Sequence, residues 1–206
     1  RTRTGSGYVN LQWKSVDCTS CEPLAGTPIQ LDGGVTVTGV DFALRRGAYL
    51  RGRVTDELTL GPIRNATVAI FDSAGRLASD GVTTESGIYR TRDGLAPGIY
   101  YAKASNDPDY ADELYAGTAC VSCAVTQGTA ITVVGATLVD GIDFSLARVG
   151  SISGTVADQQ THAPLAGLGV QAWLAGGAFV GQATTDGDGR YTIGGLAPGM
   201  YSVSAA

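Results

Sequence analysis

Four cysteines, one histidine, two lysines and two clusters of acidic residues are the parts of this 206-residue chain with chemistry to offer. The cysteines come as Cys18-Thr-Ser-Cys21 and Cys120-Val-Ser-Cys123. In an oxidising compartment each pair closes its own short ring, a loop staple contributing about 2 kcal/mol on the loop-entropy model. Pairing between the two sets, and free, redox or metal use, are the alternatives. A redox pair needs a βαβ setting and a helix N-terminus to lower a thiol pKa. A zinc ribbon needs both pairs brought together. The disulfide reading places the protein outside the cytoplasm. His162 is the only imidazole, so no Ser/His/Asp set or multi-histidine metal site can be assembled. It reads as a loop residue ahead of Pro164. No catalytic or cofactor-binding residue is expected. Asn65-Ala-Thr67 is a glycosylation sequon, and the threonines are open to O-glycans.

The elements that must hold these residues are strands. Thirty glycines and only 16% charged residues suit short strands joined by tight turns. Around Leu50, Gly52 and Val54, apolar positions alternate with Arg51 and Arg53. Val68 and Ile70, Tyr100, Ala102 and Ala104, and Ile131 and Val133 each share a face, as do Ile29 and Leu31, and Val40, Phe42 and Leu44. This is period-two patterning with one buried face. The core expected from it includes Val54, Val68, Ile70, Tyr89, Tyr100, Ile131, Val133, Phe144 and Leu146. Turn signals such as Asp72-Ser-Ala-Gly75 and Asp186-Gly-Asp-Gly189 recur between the strands, the spacing of an antiparallel β-sandwich. A net charge of -5 argues against nucleic acid and anionic membranes. The longest apolar-rich stretch, from Ile131 to Val139, is far short of the ~20 residues of a membrane helix.

The sequence also repeats itself. At a shift of 102, Cys18 and Cys21 fall on Cys120 and Cys123, Tyr8 on Tyr110, Trp13 on Tyr115, and Asp41-Phe-Ala-Leu44 on Asp143-Phe-Ser-Leu146. Gly52 falls on Gly154 and Gly87 on Gly189; Leu95-Ala-Pro-Gly98 then aligns with Leu196-Ala-Pro-Gly199 at a shift of 101.

The second copy reads Gly150-Ser-Ile-Ser-Gly-Thr-Val-Ala-Asp158, Pro164-Leu-Ala-Gly167, Thr184-Thr-Asp-Gly-Asp-Gly-Arg-Tyr191 and Leu196-Ala-Pro-Gly-Met-Tyr201. It resembles the carboxypeptidase regulatory-like and adhesin B-type (prealbumin-like) immunoglobulin-like domains of bacterial secreted and surface proteins. The resemblance implies a tandem immunoglobulin-like sandwich and a role as spacer, stalk or adhesin module. It raises a Lys–Asn isopeptide crosslink, but Lys14 and Lys103 are replaced by Ala116 and Ser204 in the other copy. It also raises calcium binding at Asp186 and Asp188. Their plain reading is a hairpin turn, since the first copy has Glu85-Ser-Gly87 there. Asp107, Asp109, Asp112 and Glu113 read as a solvated loop.

Three segments follow. Residues 1–46 are expected to be the C-terminal half of an immunoglobulin-like repeat, 47–148 a complete repeat, and 149–206 the N-terminal half of the next. Neither half can bury its apolar face alone, so each should be completed by a neighbouring copy or by continuation of the chain. The sequence begins on Arg1 with no initiator Met, as a processed chain or part of a longer one would. The expected function is structural: an extracellular fibre, stalk or pilus-like filament whose partners are copies of itself, head-to-tail. The alternative is an adhesin or carbohydrate-binding module, for which Trp13 and Trp173 are candidates at unmatched repeat positions.

Overall fold

The computed structural model describes residues 7–14, 16–18, 26–106, 108–121 and 123–205. It is all β apart from one 3-10 turn, Val125–Gln127. The strands are β1 (Leu11–Gln12), β2 (Val16–Asp17), β3 (Tyr49–Asp56), β4 (Thr67–Asp72), β5 (Leu77–Val82), β6 (Ile88–Arg90), β7 (Gly98–Asn106), β8 (Tyr110–Leu114) and β9 (Thr118–Ala119). They continue with β10 (Ile131–Val133), β11 (Leu138–Val139), β12 (Phe144–Leu146), β13 (Gly150–Thr155), β14 (Gly169–Leu174), β15 (Phe179–Thr184), β16 (Arg190–Leu196) and β17 (Tyr201–Ala205).

Strands β3 to β12 build a β-sandwich. One sheet runs β5-β4-β7-β8-β9 with β10 also on β7; the other has β3 at its centre, flanked by β6, β11 and β12. Alternation decides which side chains enter the space between them. In β3, Leu50 and Val54 are fully buried while Arg51 and Arg53 are exposed. All nine residues expected in the core are buried, and they belong to a cluster of eighteen. Each large aliphatic there contributes about 1.5–3 kcal/mol by leaving water. The Asp72–Gly75 turn joins β4 to β5 because Gly75 adopts φ +74° and the Asp72 carboxylate accepts the N–H groups of Ala74 and Arg76, at 2.9 and 3.0 Å.

Two expectations need correction. The sandwich is mixed rather than wholly antiparallel. β11 and β12 both run parallel to β3, with Leu138 opposite Tyr49 and Phe144 opposite Val54. Apolar alternation fixes a strand's face but carries no direction. The second correction concerns Ile29, Leu31 and Phe42. Among the described residues, 26–45 contain no strand, and these three side chains are 43%, 65% and 38% exposed. A strand needs an edge to pair with, and none of the described strands pairs with this segment.

Beyond the sandwich, β13 pairs only β16, and β14 lies between β15 and β17. Their ladders keep the registers of β3–β6 and β4–β5–β7: Gly154 faces Tyr191 as Gly52 faces Tyr89, and Val170 faces Ala205 as Val68 faces Ala104. Yet only Val170, Ala172, Ile193 and Leu196 form a buried cluster there. At the other end, β1 pairs β2 with Leu11 opposite Asp17, the register of Glu113 opposite Ala119 in β8–β9.

Candidate functional site

The most constrained polar site lies where the complete sandwich closes. Asp56 ends β3 with its side chain buried. Its Oδ1 accepts the N–H groups of Leu58 and Thr59 at 3.0 and 2.8 Å, which makes the turn that follows. Its Oδ2 accepts the Tyr110 hydroxyl and the Arg148 Nε, both at 2.8 Å. The Arg148 guanidinium lies 5.2 Å from the centre of the Tyr110 ring. The Thr59 N–H, then the Tyr110 hydroxyl, hold the Asp56 carboxyl well below the usual carboxylate range. Thus one carboxylate ties the end of β3 to β8 and to the segment leaving β12.

A second lock sits one turn along β3. A Cβ on Gly52 would stand 2.0 Å from the Ile142 carbonyl oxygen, so only glycine admits that chain so close. The Tyr89 hydroxyl donates to the same oxygen at 2.7 Å. Burial pushes the Tyr89 hydroxyl pKa far up. Beside it, the Asp143 carboxylate accepts the Arg53 N–H at 2.7 Å.

Parts of both locks recur at a spacing of 102 residues, in the described residues of 1–46 and in 149–206. Asp158 repeats the turn of Asp56: its Oδ1 accepts the N–H groups of Gln160 and Thr161 at 3.0 and 2.7 Å. These bonds, the Thr161 N–H first, hold its carboxyl below the ordinary range. The counterparts of Tyr110 and Arg148 are Tyr8 and Arg46, which bridge each other and stack with 5.4 Å from guanidinium to ring centre. The nearest atoms a Cβ on Gly154 would meet are those of the Tyr191 side chain, its hydroxyl at 2.9 Å, where a Cβ on Gly52 would meet the Ile142 carbonyl oxygen at 2.0 Å. Hydrogen bonds within each segment are reproduced. Val9 N–H donates to Arg45 O as Ala111 N–H donates to Ala147 O, all at 2.9 Å. Val156 N–H donates to Gly189 O at 2.8 Å, as Val54 N–H does to Gly87 O. Left-handed backbone also recurs at 102-residue spacing, at Lys14 and Ala116, Gly39 and Gly141, Leu60 and His162, and Asn65 and Gly167.

The residues singled out from sequence take these places. Cys120 and Cys123 are disulfide-bonded within their own loop, Cα to Cα 5.1 Å. Cys18 is buried, and its N–H donates to Asn10 O at 2.7 Å, as that of Cys120 does to Asp112 O at 2.8 Å. Cys21 and Asp107 lie outside the described residues. The Asp186 carboxylate accepts the N–H groups of Asp188 and Arg190 at 2.9 and 2.8 Å, and Asp188 pairs with Arg190. Among the described residues no three His, Cys, Asp or Glu side chains converge as metal ligands. Asp112 pairs with Lys103 at 2.7 Å. Burial raises the Glu113 pKa. His162 is exposed, with φ +57°. Asn65 is exposed at the head of β4. Trp13 carries Lys14 over its ring, and Trp173 packs edge-on against Phe179. The sequence reading passed over Asp56 and Arg148. Their signal was recurrence: Asp158 and Arg46 stand 102 residues away, alongside the matched Tyr8 and Tyr110.

Residues 151–206 match the family profile of the carboxypeptidase regulatory-like domain, as the Gly150–Tyr201 motifs led us to expect. No curated protein matches the chain. Solved structures similar to it include the Streptococcal ancillary pilin, 16% identical over 77% of this chain and 53% of that one, with a TM-score of 0.46. GBS52, the minor pilin of Streptococcus agalactiae, is 16% identical over 78% of this chain and 83% of that one, at 0.39. The Bacillus anthracis TIE protein is 17% identical over 77% of this chain and 27% of that one, at 0.35. The chain thus spans about a quarter of the TIE protein and about half of the ancillary pilin.

Proposed function

We propose that the protein is a structural subunit of an extracellular bacterial fibre, stalk or pilus-like filament, built from immunoglobulin-like repeats joined head-to-tail. Residues 47–148 are one complete repeat, and 1–46 and 149–206 are complementary halves of another. One observation carries this reading. Residues 149–206 repeat the ladders of β3 to β7 around a buried cluster of only four residues, and the described part of 1–46 holds β1, β2 and the exposed apolar row Ile29, Leu31 and Phe42. Contacts in which one end of a copy meets the other end of the next propagate as a filament unless the rotation closes a ring. The Cys120–Cys123 disulfide supports an oxidising location. Asn65, exposed at the head of a strand, is the residue we assign to any N-linked glycan. No helix among the described residues is long and apolar enough to cross a membrane. Negative-stain electron microscopy and sedimentation of the purified chain over a concentration series test the proposal. Linear particles that lengthen with concentration are expected; a monomer at every concentration overturns it.

A further inference from the structure

We infer that residues 26–46 of a second copy pair along the uncovered edge of β13, with that copy's Arg46 closing on the Asp158 carboxylate and its Val40 carbonyl seated over Gly154. This rests on the head-to-tail reading and assigns that reading a site and a register. Four observations define the fit.

The first is the acceptor's uncovered edge, since β13 pairs only β16. In the complete sandwich, β3 is covered along its other edge by β11 and β12: Tyr49 N–H donates to Thr137 O at 3.2 Å, Ile142 N–H to Arg51 O at 3.1 Å, and Glu57 N–H to Leu146 O at 3.0 Å. The corresponding groups on β13 and the turn after it are Ser151 N–H, Ser153 O and Gln159 N–H. Their counterpart partners are Val35 O, Val40 N–H and Leu44 O, all in the 26–46 segment. An unpaired edge next to a half-covered apolar face is a template for an added strand.

The second is the donor's preparation. Gly39 has φ +75° where Gly141 has +79°, and Tyr8 bridges Arg46 as Tyr110 bridges Arg148. At these two points the segment already has its counterpart's conformation, which lowers the ordering that opposes docking.

The third is charge. Oδ2 of Asp56 takes one hydroxyl and one guanidinium. Asp158 keeps the same turn on Oδ1, and no described residue donates to its Oδ2. Arg46, stacked on Tyr8, presents the complementary cation. Charge-assisted bonds of this kind fix register as well as adding affinity.

The fourth is shape. Over Gly154 the nearest atom is the Tyr191 hydroxyl, at 2.9 Å from where a Cβ would stand, and it is the counterpart of the Tyr89 hydroxyl that donates to the Ile142 oxygen over Gly52. The apolar row then closes the core. Ile29 lies opposite Tyr201 as Ile131 lies opposite Tyr100, and Phe42 lies opposite Val156 as Phe144 lies opposite Val54.

Sedimentation of the full chain, with two sets of variants, tests the inference. Asp158→Asn keeps an oxygen for the turn but removes the charge, and Arg46→Gln removes its partner. Each should weaken self-association about tenfold, the scale of one charged hydrogen bond. The double variant should lose no more than either single one, with circular dichroism unchanged throughout. Separately, chains carrying Ala43→Cys and chains carrying Ala157→Cys should join under mild oxidation, since Ser145 faces Thr55 in the complete sandwich. Thr38→Cys with Ala157→Cys should not. Fibres that form without the 43–157 link, and without loss in Asp158→Asn, overturn this register and leave the head-to-tail reading standing. A chain that stays monomeric at every concentration overturns both.

Discussion

At the residue scale, Asp56 shows how one carboxylate can do two structural tasks. One oxygen caps a turn and the other receives Tyr110 and Arg148. Its pKa is lowered on folding, so the stability it confers is present above the unfolded value. That stability is lost as pH falls through the folded value, below the ordinary carboxylate range. Thermal unfolding followed against pH should therefore show the sandwich fully stable at pH 5 and weakening only in strong acid. Asp56→Asn should lower the melting temperature at pH 7 and flatten that acid limb. Tyr89→Phe should cost about 1 kcal/mol, by removing the hydrogen bond to the Ile142 carbonyl. The sequence made Tyr89 recognisable as core, because it alternates with exposed neighbours in a short strand. It did not make Asp56 recognisable, because a single aspartate near a turn usually faces water.

At the element scale, the faces of the strands were legible and their partners were not. Val54, Val68 and Ile70 alternate with polar residues, and alternation alone decides that they point inward. Which edge a strand joins, and in which direction, depends on residues remote in sequence. That is why β12 was read as antiparallel and why 26–45 were expected in strands that the described residues do not form. The glycines make the edges testable. Gly52→Ala should destabilise the sandwich by about 1–3 kcal/mol, since its Cβ would meet the backbone of Ile142. Gly154→Ala should cost less, because the nearest atoms its Cβ would meet belong to the Tyr191 side chain, at 2.9 Å, rather than to backbone at 2.0 Å. Chemical denaturation of the two variants gives the comparison. Cys120→Ser together with Cys123→Ser should cost at most about 2 kcal/mol, because the ring is short.

At the scale of the whole molecule, the two buried clusters differ in size: eighteen residues between Ala48 and Leu146, and four between Val170 and Leu196. Binding to the folded state raises stability with concentration, whereas an isolated two-state unit is indifferent to it. Calorimetry should therefore resolve two transitions. The upper one, from residues 47–148, should stay fixed as concentration rises. The lower one, from the terminal halves, should move upward. A single transition that ignores concentration would separate the halves from any partnership.

The parallel ladder between β3 and β12 has a mechanical consequence. β3 opens the complete repeat and β12 closes it, and the two lie side by side with Val54, Thr55 and Asp56 opposite Phe144, Ser145 and Leu146. Tension applied to the two ends of the repeat draws β3 toward its start and β12 toward its finish. Parallel neighbours pulled this way slide past each other, so the ladder is loaded in shear and its bonds must yield together. An antiparallel hairpin gripped at its open ends would instead peel one bond at a time. Single-molecule stretching of the chain should thus give one abrupt rupture for residues 47–148, at a force well above that needed to unzip the β4–β5 hairpin.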